Sequence, residues 1–398
     1  MDGQPRGLGQ TAGALTLEAI RALRALEALG CDPLLLGYHP VARMNPYQSL
    51  LYQRTWQAGI AALPIVREQR IDELAELARR GWPTALHLHW LNQVLAHARS
   101  TKDAQGLRKA FLARIDRYLD AGGRLVWTVH NIVPHGAAYE TEEGALSEEI
   151  VERASAVHVM ATRTPDIVAE WFAIPTEKIL QVPHPSYSGA YEDVVTREQA
   201  RHELGVWPDE IVYVAVGAIK PYKGLNELLD AWDGLALDGR PRRLVVAGAP
   251  TDEPGISEAL ERAALHPTVL IHPRKIPAGE MQVFLRAADV AVMPYLRSLN
   301  SGALMLALTF GLPVVVPADG GLAELVDERM ARVFEPGVPG SLLAALLAAD
   351  DLVTADARAA AAEVAAARAP GPISDQFASG LRSILAQSGT TGRASPST

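Results

Sequence analysis

The chain has 398 residues, 48% of them hydrophobic, enough to bury substantial cores, and at roughly 100–200 residues per domain its length points to two or three domains, with two as the working count. A net charge of −9 is spread along the chain rather than gathered in runs, which argues against a nucleic-acid partner, and the single cysteine, Cys31, excludes an internal disulfide. The opening residues lack the basic and apolar regions of a signal peptide, and no run of about 18 apolar residues occurs, so the expectation is a cytoplasmic chain that does not span a membrane.

Apolar runs of strand length alternate with helix-period segments, the pattern of parallel sheets covered by helices. The opening "GLGQTAG" holds a G-x-G with no strand before it, so it reads as a lead-in rather than a dinucleotide loop. The helix pattern "TLEAIRALRALEALGC" that follows would normally come after a strand, which leaves open that a first strand is missing. Strands are then expected at "PLLLGY", "AALPIV", "TALHLHW", "RLVWTVH" and "AVHVMA", with helices at "NPYQSLLYQRTWQAG", "IDELAELARRG" and "AQGLRKAFLARIDRYLDAGG". The Pro-, Ser-, Gly- and Tyr-containing stretch "KILQVPHPSYSGAYEDVVT" is the best linker.

Beyond it the alternation resumes, with strands at "IVYVAVGA", "RLVVAGA", "TVLIHPRK", "VAVMPY" and "PVVVPA" and helices at "NELLDAWDGLA", "GISEALERAAL", "AGEMQVFLRAA" and "SGALMLALTFG". The fold class is therefore α/β, with two Rossmann-like doubly wound domains. Their expected extents are 1–185 and 201–365, with a linker at 186–200. A C-terminal helix at 366–387 is expected to pack back on the first domain, followed by a disordered tail at 388–398. The Ala-rich "ADARAAAAEVAAARA" is expected to be helical.

Three strand-to-helix loops of the second half carry ligand chemistry. In "GAIKPYKG", Gly217 permits a tight turn, Pro221 stiffens the loop, and Lys220 and Lys223 supply positive charge at a helix N-terminus, where anions bind. Two solvated lysines on an ordinary turn are the alternative. "LNSG" opens a helix with Asn300 or Ser301 as N-cap and Gly302 allowing close approach of a ligand. "ADGGLAELV" sets Gly320 and Gly321 before a short helix bearing Glu324.

Together, "GAIKPYKGLNELLDAW", "RLVVAG", "AADVAVMPY", "NSGALMLALTFGLPVVVP" and "GGLAELV" resemble the nucleotide-sugar-binding half of GT-B glycosyltransferases. "NPYQSLLY", "HLHW" and "TVHNIVPH" resemble the bacterial group 1 branch that builds exopolysaccharide and glycolipid sugars, including some β-mannosyltransferases. The resemblance covers about residues 34–350. It implies a GT-B fold whose domains face each other across a cleft, the first holding the acceptor and the second the nucleotide sugar. It also implies that Lys223 binds the donor diphosphate, that the backbone at Ser301 and Gly302 caps a phosphate or the donor sugar, that Glu324 faces nucleotide or sugar hydroxyls, and that His130 reaches the donor sugar.

Two departures bear on mechanism. Ala218 stands where relatives commonly carry arginine, so Lys220 would supply the second charge. Ser298 and Leu306 stand where retaining relatives carry two glutamates, which favours inversion. An inverting transfer needs a general base, and His87, His89, His130, His135, His158 and His184 are the candidates. His89 and His130 end their strands and are the expected catalytic pair, each weighed against a hydrogen-bonded core histidine, while His158 reads as structural. Asn45, Tyr47, Trp90 and His135 are expected to bind the acceptor. Ligand spacings for a metal are absent, and no metal or cofactor is expected, since lysines and helix N-termini neutralise a leaving diphosphate.

The helix "LRKAFLARIDRYL" sets Arg108, Lys109, Arg114 and Arg117 beside an apolar face. It reads either as a helix covering the sheet or as one resting on an anionic bilayer near a lipid-linked acceptor. The expected activity is metal-independent transfer of a sugar from a nucleotide-diphosphate donor to a hydroxyl of a saccharide or lipid-linked saccharide. The alternatives are a nucleotide-sugar epimerase of the same architecture, a two-domain binding protein and a non-catalytic relative.

Overall fold

The computed structural model describes residues 14–42, 45–132, 138–235 and 240–390. The expected lead-in at "GLGQTAG", the acceptor residue His135 and the last part of the expected tail lie outside the described residues. Contacts divide the chain into two units, one holding residues Met1–Pro183 with Gly371–Thr398 and the other His184–Pro370.

The first unit is built on β1 (Leu34–His39), β2 (Ile60–Pro64), β3 (Thr84–Leu88), β4 (Arg124–Thr128), β5 (Ala156–Val159) and β6 (Ile179–Gln181), paired in parallel in the order β2-β1-β3-β4-β5-β6. Every residue of β3 and β5 is buried, as strands covered by helices on both faces must be. The helix Pro370–Thr390 covers one face, where Ile373, Phe377, Ala378 and Leu381 join the core around Tyr52, Ala85 and Val126.

The second unit is built on β7 (Ile211–Val216), β8 (Arg242–Ala247), β9 (Val269–His272), β10 (Val290–Val292), β11 (Val314–Pro317) and β12 (Ala331–Phe334), also parallel, in the order β12-β11-β10-β7-β8-β9. Strand order reverses between β7 and β10, and between β1 and β3 in the first sheet. At such a reversal consecutive crossovers leave to opposite sides, which opens a crevice beyond the strands' carboxyl ends.

The two edge strands β6 and β12 are not among those expected from the sequence. β6 lies inside the stretch read as linker, and β12 is the alternating segment Ala331–Phe334, only half of it buried. The stretch 186–200 is fastened to the second unit. Tyr187 N–H donates to Thr309 Oγ1 (3.0 Å), Val194 N–H donates to Gln282 Oε1 (2.8 Å), and Thr196 caps the helix Arg197–Leu204.

"NPYQSLLYQRTWQAG" forms two pieces rather than one helix, Tyr47–Tyr52 and the single turn Thr55–Ala58. The Thr55 hydroxyl lies 3.1 Å from both Tyr52 O and Ile60 O and draws the chain out of helical register. The Ala-rich segment is helical over Ala355–Ala366, capped by Thr354.

On the helix Thr101–Asp120, Arg108 pairs with Glu142 and Glu149, Arg114 with Glu68 and Asp72, and Arg117 with Asp72. These three arginines are engaged by the unit's own carboxylates, while Lys109 is exposed. No helix among the described residues is long and apolar enough to cross a membrane.

Candidate active site

In the second unit, the loops after β7, β10 and β11 meet at the carboxyl edge of the sheet, beside the strand-order reversal. After β7 the chain turns at Gly217 and passes through the turn Pro221–Lys223 into the helix Leu225–Leu235. Leu296 N–H donates to Tyr222 O (2.9 Å), tying the β10 loop to the β7 loop. Gly320, at φ +85°, closes the third side. A Cβ there would stand 1.7 Å from Ser298 O, so only glycine lets the two backbones meet.

Lys220 and Lys223 are both half-buried, and neither has a carboxylate partner among the described residues. The Lys223 ammonium sits 5.1 Å from the Tyr295 ring centroid and within 3.0 Å of where a Gly217 Cβ would be. Burial works against the charged form of Lys223. The Tyr295 and Tyr222 phenols beside it outweigh burial, so its pKa lies above the ordinary lysine value and the group is a cation at neutral pH.

Tyr295 links this cation to the helix Gly302–Thr309, its hydroxyl 3.4 Å from Ser301 Oγ. Ser301 is the N-cap, accepting from Leu304 N–H at 3.1 Å. The first turn of that helix leaves backbone N–H groups without intrahelical partners, which together with the helix dipole suits an anion. Two lysines, a helix N-terminus and Asn300 therefore lie along one loop cluster. Glu324 is exposed on the turn Ala323–Leu325, and Gly321 is buried behind it.

At Gly302 the room expected for a ligand is occupied on one side by the Tyr187 hydroxyl, 2.7 Å from a Cβ position. Tyr187 and Tyr295 escaped the sequence analysis. Tyr187 lay in the presumed linker, and Tyr295 read as the end of a buried strand. Ser298 is buried, its hydroxyl directed at Asn300 O (3.4 Å), and Leu306 is buried in the helix. Neither position offers a carboxylate.

In the first unit His87, His89, His130 and His158 form one network across a single face of the sheet. Register sets Thr128 on β4 opposite His158 on β5, and Val126 opposite His87 on β3. His158 Nε2 lies 2.9 Å from Val182 O, His158 Nδ1 3.0 Å from Thr128 Oγ1, and Thr128 Oγ1 2.6 Å from His87 Nε2. The Tyr52 hydroxyl bridges His87 Nδ1 and His89 Nε2, each at 2.7 Å, and His89 Nδ1 lies 2.9 Å from His130 Nε2. Phe377 stacks on the His87 ring at 5.4 Å and 9°, sealing the network from the C-terminal helix.

His87 and His89 are fully enclosed. Burial, reinforced by the neighbouring imidazoles, holds both pKa values well below the ordinary histidine range. The Tyr52 pKa is pushed up, first by burial and then by Tyr47 and Tyr38.

The expected catalytic pair therefore separates. His130 is half-buried, whereas His89 is buried with both ring nitrogens engaged, one by Tyr52 and one by His130. Tyr47 likewise differs from an acceptor contact. It is 1% exposed and packs edge-on against His130 at 5.2 Å. Asn45 is exposed and its Oδ1 accepts from Tyr47 N–H (3.0 Å), fixing the start of the helix Tyr47–Tyr52. Trp90 stacks on His130 at 4.2 Å and 19° and lines a small cavity of about 110 Å³ with His39, Glu68, Gln93 and Phe111. Among the described residues no cluster of three or more His, Cys, Asp or Glu side chains could hold a metal ion.

Residues 210–350 match the family model of glycosyl transferases group 1. Over 318 residues the chain is 26% identical to the GDP-mannose:glycolipid 4-beta-D-mannosyltransferase of Xanthomonas campestris pv. campestris, covering 77% of this chain and 80% of that protein. It is 31% identical over 204 residues to a D-inositol 3-phosphate glycosyltransferase of Segniliparus rotundus, covering 49% of this chain and 45% of that one. Among solved structures it resembles a sucrose-phosphate synthase from Thermosynechococcus elongatus, with TM-score 0.65 and 18% identity over 89% of this chain and 99% of that one. It also resembles Anabaena Alr3699/HepE in complex with UDP-glucose, with TM-score 0.64 and 16% identity over 88% and 99%. The chain is thus similar to group 1 glycosyltransferases over residues 210–350 of its second unit, and its fold is of the GT-B type.

Proposed function

We propose that the protein transfers a sugar from a nucleoside-diphosphate donor to a hydroxyl of a saccharide or lipid-linked saccharide, with inversion and without a metal ion. The observation that carries this reading is the Lys223 ammonium joined through Tyr295 to the capped helix at Ser301, with Lys220 on the same loop, beside the strand-order reversal of the second sheet. A leaving diphosphate needs positive charge positioned before it departs, and two lysines with a helix N-terminus supply it without reorganisation.

Inversion is supported by Ser298 and Leu306, which leave no carboxylate at the positions where retaining relatives carry glutamates. In an inverting step the acceptor oxygen bonds to the anomeric carbon, the bond from that carbon to the phosphate oxygen breaks, and the nucleoside diphosphate leaves with the electron pair. The hydroxyl proton passes to a base, and His130 is assigned that role because it is the half-buried ring of an otherwise enclosed imidazole network. Trp90, beside His130, offers an indole face for the acceptor. The engaged arginines of the helix Thr101–Asp120 give no support to a bilayer contact there.

The Xanthomonas relative is named for GDP-mannose and a glycolipid acceptor, which makes GDP the first nucleotide to try. A thermal-shift screen against GDP, UDP, dTDP, ADP and CDP is the direct test, because a ligand that binds the folded state alone raises its melting temperature. A selective rise with one nucleotide supports the reading. No rise with any of them at millimolar concentration overturns it.

A further inference from the structure

The direction of every hydrogen bond in the histidine network follows from its last member. Val182 O is a carbonyl and only accepts, so the His158 Nε2 atom 2.9 Å away carries the proton and Nδ1 carries the lone pair. Thr128 has one hydroxyl hydrogen, which goes to His158 Nδ1, so its oxygen accepts from His87 Nε2–H. His87 Nδ1 is then an acceptor and takes the only hydrogen of Tyr52. The Tyr52 oxygen accepts in turn from His89 Nε2–H, which leaves His89 Nδ1 to accept from His130 Nε2–H. Each neutral imidazole supplies one donor and one acceptor, and the sequence of bonds closes with no clash of like groups.

We infer that this one-way chain, anchored on the Val182 carbonyl, fixes His130 as the Nε2–H tautomer and makes Nδ1 its basic atom. Tyr52, His89, His87, Thr128 and His158 are positioning residues. The inference deepens the proposed function and rests on the role given there to His130.

Two consequences follow for a base at this place. When His130 takes a proton on Nδ1, its Nε2–H already points at a lone pair, and aligned bonds in a low-dielectric interior strengthen one another. The chain also ends on a carbonyl, which takes up no proton, and burial disfavours positive charge on His87 and His89. It therefore holds and orients His130.

The test is the tautomeric state of the histidines in the full chain, read from ring-nitrogen shifts after ¹⁵N-histidine labelling, at a pH where the imidazoles are neutral. His158, His87, His89 and His130 are expected as Nε2–H, and an Nδ1–H form at any of them overturns the inference. Tyr52→Phe removes the bridge. His158 and His87 then stay Nε2–H while His89 and His130 become mixtures of tautomers, and an unchanged His130 contradicts the chain. Should that variant not fold, Thr128→Val interrupts the chain one link earlier and is expected to leave only His158 fixed, whereas an unchanged His130 again contradicts it. The wild-type spectrum decides without either variant. If the four tautomers are as expected while His130→Ala transfers sugar at the normal rate, the chain stands and the role proposed for His130 falls.

Discussion

In the second unit the ligand chemistry lies along strand-to-helix loops that follow β7, β10 and β11, each a short continuous stretch of sequence. In the first it lies across one face of the sheet, on β3, β4 and β5, and is covered by Tyr52 from one helix and Phe377 from another far along the chain. Both sheets are parallel and six-stranded, but they differ in strand order and in what they carry: lysines and a helix N-terminus on loops beside the reversal in one, a buried imidazole network on β3, β4 and β5 that includes one half-buried ring in the other. A loop binds by exposing charge, and its residues must be neighbours. A network positions a group by exclusion of water, and its residues need only meet in space.

The largest expected effect tests that division of labour. His130→Ala should lower the transfer rate by about 10²- to 10⁴-fold, the usual contribution of a general base, and leave nucleotide affinity by calorimetry unchanged. Loss of nucleotide binding as well would break the separation between the units.

Gly320→Ala adds a Cβ 1.7 Å from Ser298 O at a positive φ, and should destabilise the chain by about 3 kcal/mol in denaturant unfolding. A melting curve like that of the wild type would show that the β10 and β11 loops are not locked together. Lys223→Ala removes a charge-assisted contact to the diphosphate worth about 2 kcal/mol, roughly 30-fold in affinity. Calorimetry with the selected nucleoside diphosphate should show it with the melting temperature unchanged, and equal affinity would remove Lys223 from the site.

Acid should act through the enclosed histidines. His87 and His89 in the first unit have pKa values far below the ordinary range, and burial lowers His184 in the second to about 4. Each binds its proton in the unfolded chain near pH 6.5 but not in the folded one. Their stabilising contribution is therefore complete above that pH and declines as pH falls towards the folded-state value, by about 1.4 kcal/mol per pH unit for each histidine. Stability that stays flat in urea titrations between pH 7 and pH 5 would mean the network is hydrated. The smallest effect is none: EDTA should leave the transfer rate unchanged, and a loss restored by a divalent ion would show that the lysines and the helix do not suffice.

How much was legible in the sequence varied with the distance over which each feature is encoded. Lys220, Lys223 and the "NSG" cap sit within a few residues of a strand end, so alternation alone set them on one edge of a sheet. Tyr295 was invisible as a site residue, because its role depends on Lys223 from another loop lying 5.1 Å from its ring. Among the histidines, strand alternation correctly put His87 and His89 on one face, yet it could not tell which of His89 and His130 is half-buried. That depends on Tyr52, Phe377 and Trp90 packing around them.

The sequence by itself determined the alternation of buried apolar runs with amphipathic helices, and hence two parallel sheets, because both periods are local. It also determined the charged loop of the second sheet. The tertiary structure alone decided that β6 and β12 complete the sheet edges, that Tyr187 stands over Gly302, and that a carbonyl at Val182 orders the bonds reaching His130. Each of these is a contact between segments distant in the chain. Such contacts are set by burial and by the need of every enclosed polar group for a partner, neither of which has a period to read.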